Sequence, residues 1–150
     1  MFHKILVAYD GTEPGNVALR QGADLACVLG AELHILAIVV TTGGLLLDPA
    51  VVPGDLLAAE RQFLLGAMTE AVAGLEKHGI AAITCIRDGD PADEIIAYAL
   101  EINADLAVVG HSAQGLLARW FGSSVGTRIL ATMPCSLLVA TDSSLLPAPE

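Results

Sequence analysis

Residues 4–14 read Lys4-Ile5-Leu6-Val7-Ala8-Tyr9-Asp10-Gly11-Thr12-Glu13-Pro14, and the fold is decided there. Residues 5–9 are an unbroken apolar run of strand length. A strand with one wet face would alternate apolar and polar residues, so this run predicts a strand covered on both faces. Asp10-Gly11 ends it. Thr12-Glu13-Pro14 then opens a helix, with proline at an early position where its missing N–H costs nothing. A doubly buried strand that passes at once into a helix is the start of a βαβ unit.

Outward from this stretch the pattern repeats. Ala18, Gly22, Leu25, Ala26 and Leu29 share one helical face, and Gly30 supplies a C-terminal stop. Residues 33–40 form a second apolar strand. Residues 41–54 carry Gly43, Gly44, Pro49, Pro53 and Gly54 around Leu45-Leu46-Leu47 and Val51-Val52, which predicts an irregular loop or lid. Asp55 is placed to cap a second helix. Its stripe is Leu56, Phe63, Leu64, Ala67, Ala71 and Leu75, and it ends at Lys77-His78-Gly79. Residues 80–86 read as a third, weaker strand, followed by a turn at Asp88-Gly89. Asp90 caps a third helix with Pro91 at its first position, Ile95, Ile96, Ala99 and Leu100 inward, and Asn103 at a left-handed end. Residues 106–109 make a fourth strand broken at Gly110. Residues 124–131 make a short helix stopped at Met133-Pro134, and residues 135–140 a fifth strand. The order β-α-β-α-β-α-β-loop-α-β predicts an α/β fold, a doubly wound parallel sheet with helices on both faces. Residues 1–142 read as a single domain and residues 143–150, with Pro147 and Pro149, as a flexible tail.

Composition agrees with this order. The chain has 150 residues, 54% of them hydrophobic and 16% charged. That fits one domain able to bury roughly 70% of its unfolded surface, and it excludes disorder. No apolar run approaches the ~18–20 residues of a membrane span. A net charge of −10 argues against nucleic acid or an anionic membrane as partner. Met1 to Lys4 run straight into the first strand, which predicts no signal peptide and a cytoplasmic location. Cys27, Cys85 and Cys135 are scattered without a CxxC pair and read as buried free thiols of a reducing compartment. His3, His34 and His78 are too dispersed for a metal site.

In open parallel sheets, ligands sit beyond the carboxyl ends of the strands where the strand order reverses. Two strand ends stand out. Asp10 follows strand one. Gly110 follows strand four and opens Gly110-His111-Ser112-Ala113-Gln114-Gly115, with Gly122-Ser123-Ser124 further on and a helix start at about Ser124. Backbone N–H groups at a helix start, flanked by small residues and hydroxyls, suit an anion. Seventeen acids fill the chain, yet residues 106–141 contain none while holding Arg119 and Arg128. Arg119 is the side-chain candidate for a phosphate clamp. Plain helix capping is the competing reading of Ser123 and Ser124, and a turn role that of Asp10.

Several spaced motifs then agree in order. Residues 4–14, Ala23-Asp24-Leu25-Ala26, Leu29-Gly30-Ala31-Glu32-Leu33, Gly89-Asp90-Pro91-Ala92, Ala104-Asp105-Leu106 and Met133-Pro134-Cys135-Ser136-Leu137-Leu138-Val139 together resemble the universal stress protein family over nearly the whole chain. The resemblance implies a three-layer, five-stranded sheet of strand order 3-2-1-4-5, Rossmann-like and akin to the adenine-nucleotide alpha-hydrolase fold. It implies a homodimer paired through strand five, residues 135–140. Nucleotide-binding members carry a loop G-x2-G-x9-G-[ST]. Here it reads Gly110-x2-Ala113-x9-Ser123-Ser124, so the second and third glycines are replaced. An Ala where close approach or positive φ is needed costs of order 1 kcal/mol.

Carried over residue by residue, the resemblance gives Asp10, beside Ala8 and Tyr9, to the ribose or adenine side. It sets the backbone of Ile38 and Val39 against the adenine edge. Val109, Gly110, Ala113, Ser123, Ser124 and Val125 fall on the phosphates, and Ser112 and the clamp candidate Arg119 join them as nucleotide-site residues read from the loop itself. The implied ligand is ATP, ADP or AMP, with the participation of Mg²⁺ open. The expected function is a small stress-response regulator binding an adenine nucleotide beyond strands one and four. The alternative is a member that binds no nucleotide and acts through dimerisation and protein contacts, in keeping with Ala113 and Ser123. No nucleophile–base pair, metal cluster or partnered carboxylate pair is legible, so no enzyme is expected beyond weak ATP hydrolysis.

Overall fold

The computed structural model describes residues 1–41, 54–111 and 129–142. Five strands alternate with helices: β1 Lys4–Ala8, α1 Glu13–Leu29, β2 Glu32–Val40, α2 Gly54–Glu76, β3 Ala82–Gly89, α3 Pro91–Ile102, β4 Leu106–Gly110 and β5 Ser136–Ala140. Residues 129–132 are helical and lead into β5. All neighbouring strands pair in parallel, in the order β3-β2-β1-β4-β5. This is the α/β architecture and strand order the sequence led us to expect.

Alternation along the strands builds the layers. Side chains at odd positions of β1 and β2 (Ile5, Val7, Leu33, Ile35, Ala37 and Val39) join Leu106 and Val108 of β4 under α1 and α2. Leu6, Ala8, Leu36 and Val109 point the other way, onto Ala92, Ile95, Tyr98 and Ala99 of α3 and onto Ile129. A strand with both faces covered has no position for a polar residue, which is why the sequence shows an apolar run there.

The helix ends follow local chemistry. Thr12 caps α1 through Gly15 N, and Gly30 closes it in the left-handed conformation at φ 64°. Asp90 caps α3 through Asp93 N, and Asn103 closes it at φ 54°. The strand ends are tied as well. Asp105 Oδ2 accepts from His3 N at 2.6 Å and Lys4 N at 2.8 Å, fastening the start of β1 beside β4. Those two bonds hold the Asp105 carboxyl below the usual carboxylate range.

Some expectations shift. β3 starts two residues later than expected and takes in Asp88-Gly89, which are strand and not turn, because they pair with Val39 and Val40 of the long β2. On α2 the buried residues are Leu64 and Met68, whereas Leu56 and Phe63 are 61% and 59% exposed. On α3, Tyr98 is buried and Leu100 faces solvent. Tyr98 is drawn inward by the buried His34, whose Nδ1 lies 3.1 Å from its hydroxyl while Nε2 meets Glu32 Oε1 at 2.6 Å. Cys27 is exposed, and Cys85 and Cys135 are only partly covered, so the three thiols are not the buried set that composition suggested. Helical spacing gives a face, but not which edge of that face meets the sheet.

Candidate functional site

The chain leaves β1 for β2 and β3 on one side, then returns to lay β4 and β5 on the other. The reversal lies between β1 and β4, the place where doubly wound sheets of this order form a crevice at the carboxyl ends of their strands. Ala8, Tyr9 and Asp10 reach it from β1, and Val109 and Gly110 from β4. The last β1 pairing is Ala8 with Leu36, and Tyr9 N donates to Leu36 O at 2.8 Å. β2 continues to Val40. Residues 37–40 therefore overhang β1, so Ile38 and Val39 stand beside the crevice with no β1 residue paired to them. Ala8, Val39 and Val109 are buried, while Asp10, Ile38 and Gly110 are partly open.

Two glycines bring the backbone walls together. A Cβ at Gly110 would stand 2.3 Å from Pro14 O and 3.2 Å from Gly15 N, so the end of β4 lies directly on the first turn of α1. A Cβ at Gly15 would stand 2.5 Å from Asp10 Oδ1, so Asp10 is seated against that same turn. Asp10 Oδ1 accepts from Thr12 N at 3.0 Å and from the Thr12 hydroxyl. Asp10 thus does serve the turn, but through one oxygen only. Its other oxygen carries no hydrogen bond among the described residues and is free to accept from a hydroxyl, as a ribose would offer. His111 N donates to Ala140 O at 2.9 Å, which continues the β4–β5 ladder and leaves the His111 side chain exposed. Ser112, Ala113, Arg119, Ser123, Ser124 and Val125 lie outside the described residues.

A second opening lies on the α1/α2 side of β1, and sequence reasoning missed it. A cleft of about 520 Å³ is bounded by Tyr9 and Gly11 at the end of β1, Asn16 of α1, and Phe63, Gly66 and Glu70 of α2. Gly11, at φ 77°, lies under the Phe63 ring: a Cβ there would be 2.9 Å from Phe63 Cε1. Tyr9 is buried and its hydroxyl donates to Asn16 Oδ1 at 3.0 Å. Burial, then the charges of Asp10, Glu70 and Glu13, raises that hydroxyl above the usual tyrosine range. The sequence did carry a signal: Phe63 and Gly66 are one helical turn apart, so an apolar ring stands beside a gap on the same face of α2. Among the described residues no cluster of His, Cys, Asp or Glu could hold a metal ion. No described helix is long and apolar enough to cross a membrane.

A parallel 3-2-1-4-5 sheet open at its β1–β4 reversal defines a Rossmann-like α/β protein of the kind that receives small ligands at that crevice. The model of the universal stress protein family matches residues 1–141, and the chain belongs to that family. Universal stress protein YxiE of Bacillus subtilis is 30% identical over 146 residues, covering 93% of this chain and 99% of the relative. Among solved structures, universal stress protein UspA from Lactobacillus plantarum superposes with a TM-score of 0.75 at 23% identity, over 93% of this chain and 97% of that one. A universal stress protein family protein from Arabidopsis thaliana with AMP bound superposes with a TM-score of 0.64 at 17% identity, over 97% of each chain.

Proposed function

We propose that this chain is a small stress-response regulator that binds an adenine nucleotide, ATP, ADP or AMP, in the β1–β4 crevice. One observation carries the reading: three strand ends converge around Asp10, whose second carboxylate oxygen is open beside the unpaired overhang of β2. The Arabidopsis relative with AMP bound shares the fold that makes this crevice.

In this reading Asp10 accepts from ribose hydroxyls, flanked by Ala8 and Tyr9. The backbone of Ile38 and Val39, overhanging β1, offers the amide and carbonyl groups an adenine edge needs. Val109 and Gly110 guide the chain toward the phosphates. Ser112, Ala113, Arg119, Ser123, Ser124 and Val125 supply the phosphate contacts, with or without Mg²⁺. The protein works by occupancy rather than turnover, as a single domain over residues 1–142. It works in the cytoplasm, as a homodimer paired through residues 135–140. The second reading, a member that binds no nucleotide and acts through protein contacts, is favoured by Ala113 and Ser123, which stand where the family's nucleotide loop has glycines.

Thermal unfolding with AMP and ATP, with and without Mg²⁺, tests the proposal. A ligand at 100 times its Kd adds about 2.7 kcal/mol, which raises Tm by about 5 °C or more in a chain of this size. Asp10→Ala is expected to abolish most of that increment. An unchanged Tm at millimolar nucleotide would establish the second reading instead.

A further inference from the structure

We propose that the α1–α2 cleft, which shares Tyr9 with the nucleotide crevice but opens on the α1/α2 side of β1, is a binding site of its own for a small organic cation with a flat aromatic body, such as an arylalkylamine. Its volume of about 520 Å³ suits such a molecule, since small-molecule pockets run from about 300 to 1,000 Å³. Its walls supply the two contacts that a molecule of this class needs.

The first contact is aromatic. Phe63 rests one edge of its ring on Gly11, yet the residue is 59% exposed. A phenylalanine held in place at one edge and wet elsewhere is a ready stacking surface. Gly66, one turn along, has no heavy atom within 4 Å of where its Cβ would stand. Gly66 is itself exposed, so the side of the helix next to the ring is open for a second ring to lie against it. Asn16 and Gln62 add amide groups at the rim.

The second contact is electrostatic. Glu70 lines the cleft and has no hydrogen bond or ion pair among the described residues. No Lys, Arg or His stands among the described residues lining the cleft. Among the described residues, Arg20 is paired with Glu13 and Arg61 with Asp88. Asp10, Glu13 and Glu70 all act on the Tyr9 hydroxyl at the back of the cleft, and all in the same sense. The cleft thus carries one ionised lining group among the described residues, the carboxylate of Glu70. It repels phosphate and attracts an ammonium group, which can sit against Glu70 or over the Phe63 face. That polarity separates it from the nucleotide reading of the crevice.

The test titrates the ¹⁵N-labelled, nucleotide-free chain with tryptamine, and with indole-3-propionate as an anion carrying the same ring. Tryptamine is expected to move the amide signals of Gly11, Asn16, Gly66 and Glu70 saturably, with indole-3-propionate binding at least fivefold more weakly. Glu70→Gln, at an exposed position, is expected to weaken tryptamine about two- to fivefold, the range of a solvent-screened ion pair. Phe63→Ala is expected to weaken it about tenfold. No movement of these signals at 10 mM tryptamine would overturn the proposal. So would equal binding of the anion, or an unchanged affinity in Glu70→Gln. AMP moving the same signals in preference to tryptamine would also overturn it and assign the cleft to nucleotide.

Discussion

α1 and α2 cover the same face of the sheet, and they cover it differently. α1 presents Gly15, Ala18, Gly22, Ala23 and Ala26 inward and lies almost on the strands. A Cβ at Gly22 would stand 2.5 Å from Val7 Cγ2. α2 touches the sheet through Leu64 and Met68, keeps Leu56, Phe63 and Leu65 exposed, and has open space at both Gly66 and Gly74. Small residues in α1 bring backbones together and shape the crevice. Glycines in α2 leave room. The same residue type therefore means contact in one helix and vacancy in the next, and only the neighbouring atoms tell which.

Alanine substitutions at glycine break or sharpen this contrast. Gly110→Ala carries the largest expected effect, because its Cβ would meet the Pro14 carbonyl, a backbone atom that cannot rotate away. Overpacking of this kind costs about 3 kcal/mol, or a Tm lower by about 6–12 °C. An unchanged Tm would mean that β4 and α1 are not in backbone contact. Thr12→Ala is next. It removes the α1 cap and the hydroxyl, one of the two Thr12 donors to Asp10 Oδ1, and should cost about 1 kcal/mol by urea denaturation, with the nucleotide increment reduced as well. Gly66→Ala should have the opposite sign. With nothing near its Cβ, it should stabilise α2 by about 0.5–1 kcal/mol through helix propensity. A loss in Gly66→Ala would show that α2 is packed as tightly as α1.

Acid supplies the smallest effect and a control. Glu32, hydrogen-bonded to His34, and Asp105, bonded by two backbone N–H groups, are both held below the usual carboxylate range. A carboxyl lowered in the folded state adds stability above its unfolded value, about 4, and loses it as pH falls through the lower folded value. Urea midpoints should therefore fall below about pH 4. Both groups lie at the amino ends of strands, and their carboxylate hydrogen bonds involve neither α1 nor α2. The stability difference between Gly66→Ala and the parent chain should persist through that fall, and Asp105→Asn should flatten it.

Much of this was readable in advance. The run Ile5 to Tyr9 announced a doubly buried strand, and Thr12, Asp90, Gly30 and Asn103 announced the helix ends, because each of these is a local matter of backbone geometry or of one hydrogen bond. The inward turn of Tyr98 and the outward turn of Phe63 were not readable. Tyr98 answers a histidine 64 residues earlier, and Phe63 answers a glycine 52 residues earlier. Helical periodicity carries no information about partners at that distance. At the crevice, the acidic residue and the glycine after β4 were recognisable by type. The overhang of β2 was not, since it depends on the length of one strand relative to another.

The seat of Gly110 on Pro14 and Gly15 has a consequence for how this protein can vary. Most packing contacts join two side chains, so a change on one side can be compensated on the other, and the pair drifts together over generations. Here the partner atoms are a carbonyl oxygen and an amide nitrogen, which every amino acid shares. No replacement at positions 14 or 15 makes room for a larger residue at 110. Glycine is required at position 110 by space alone, since its φ is not positive. Libraries randomised at 14, 15 and 110 together should return glycine at 110 whatever accompanies it.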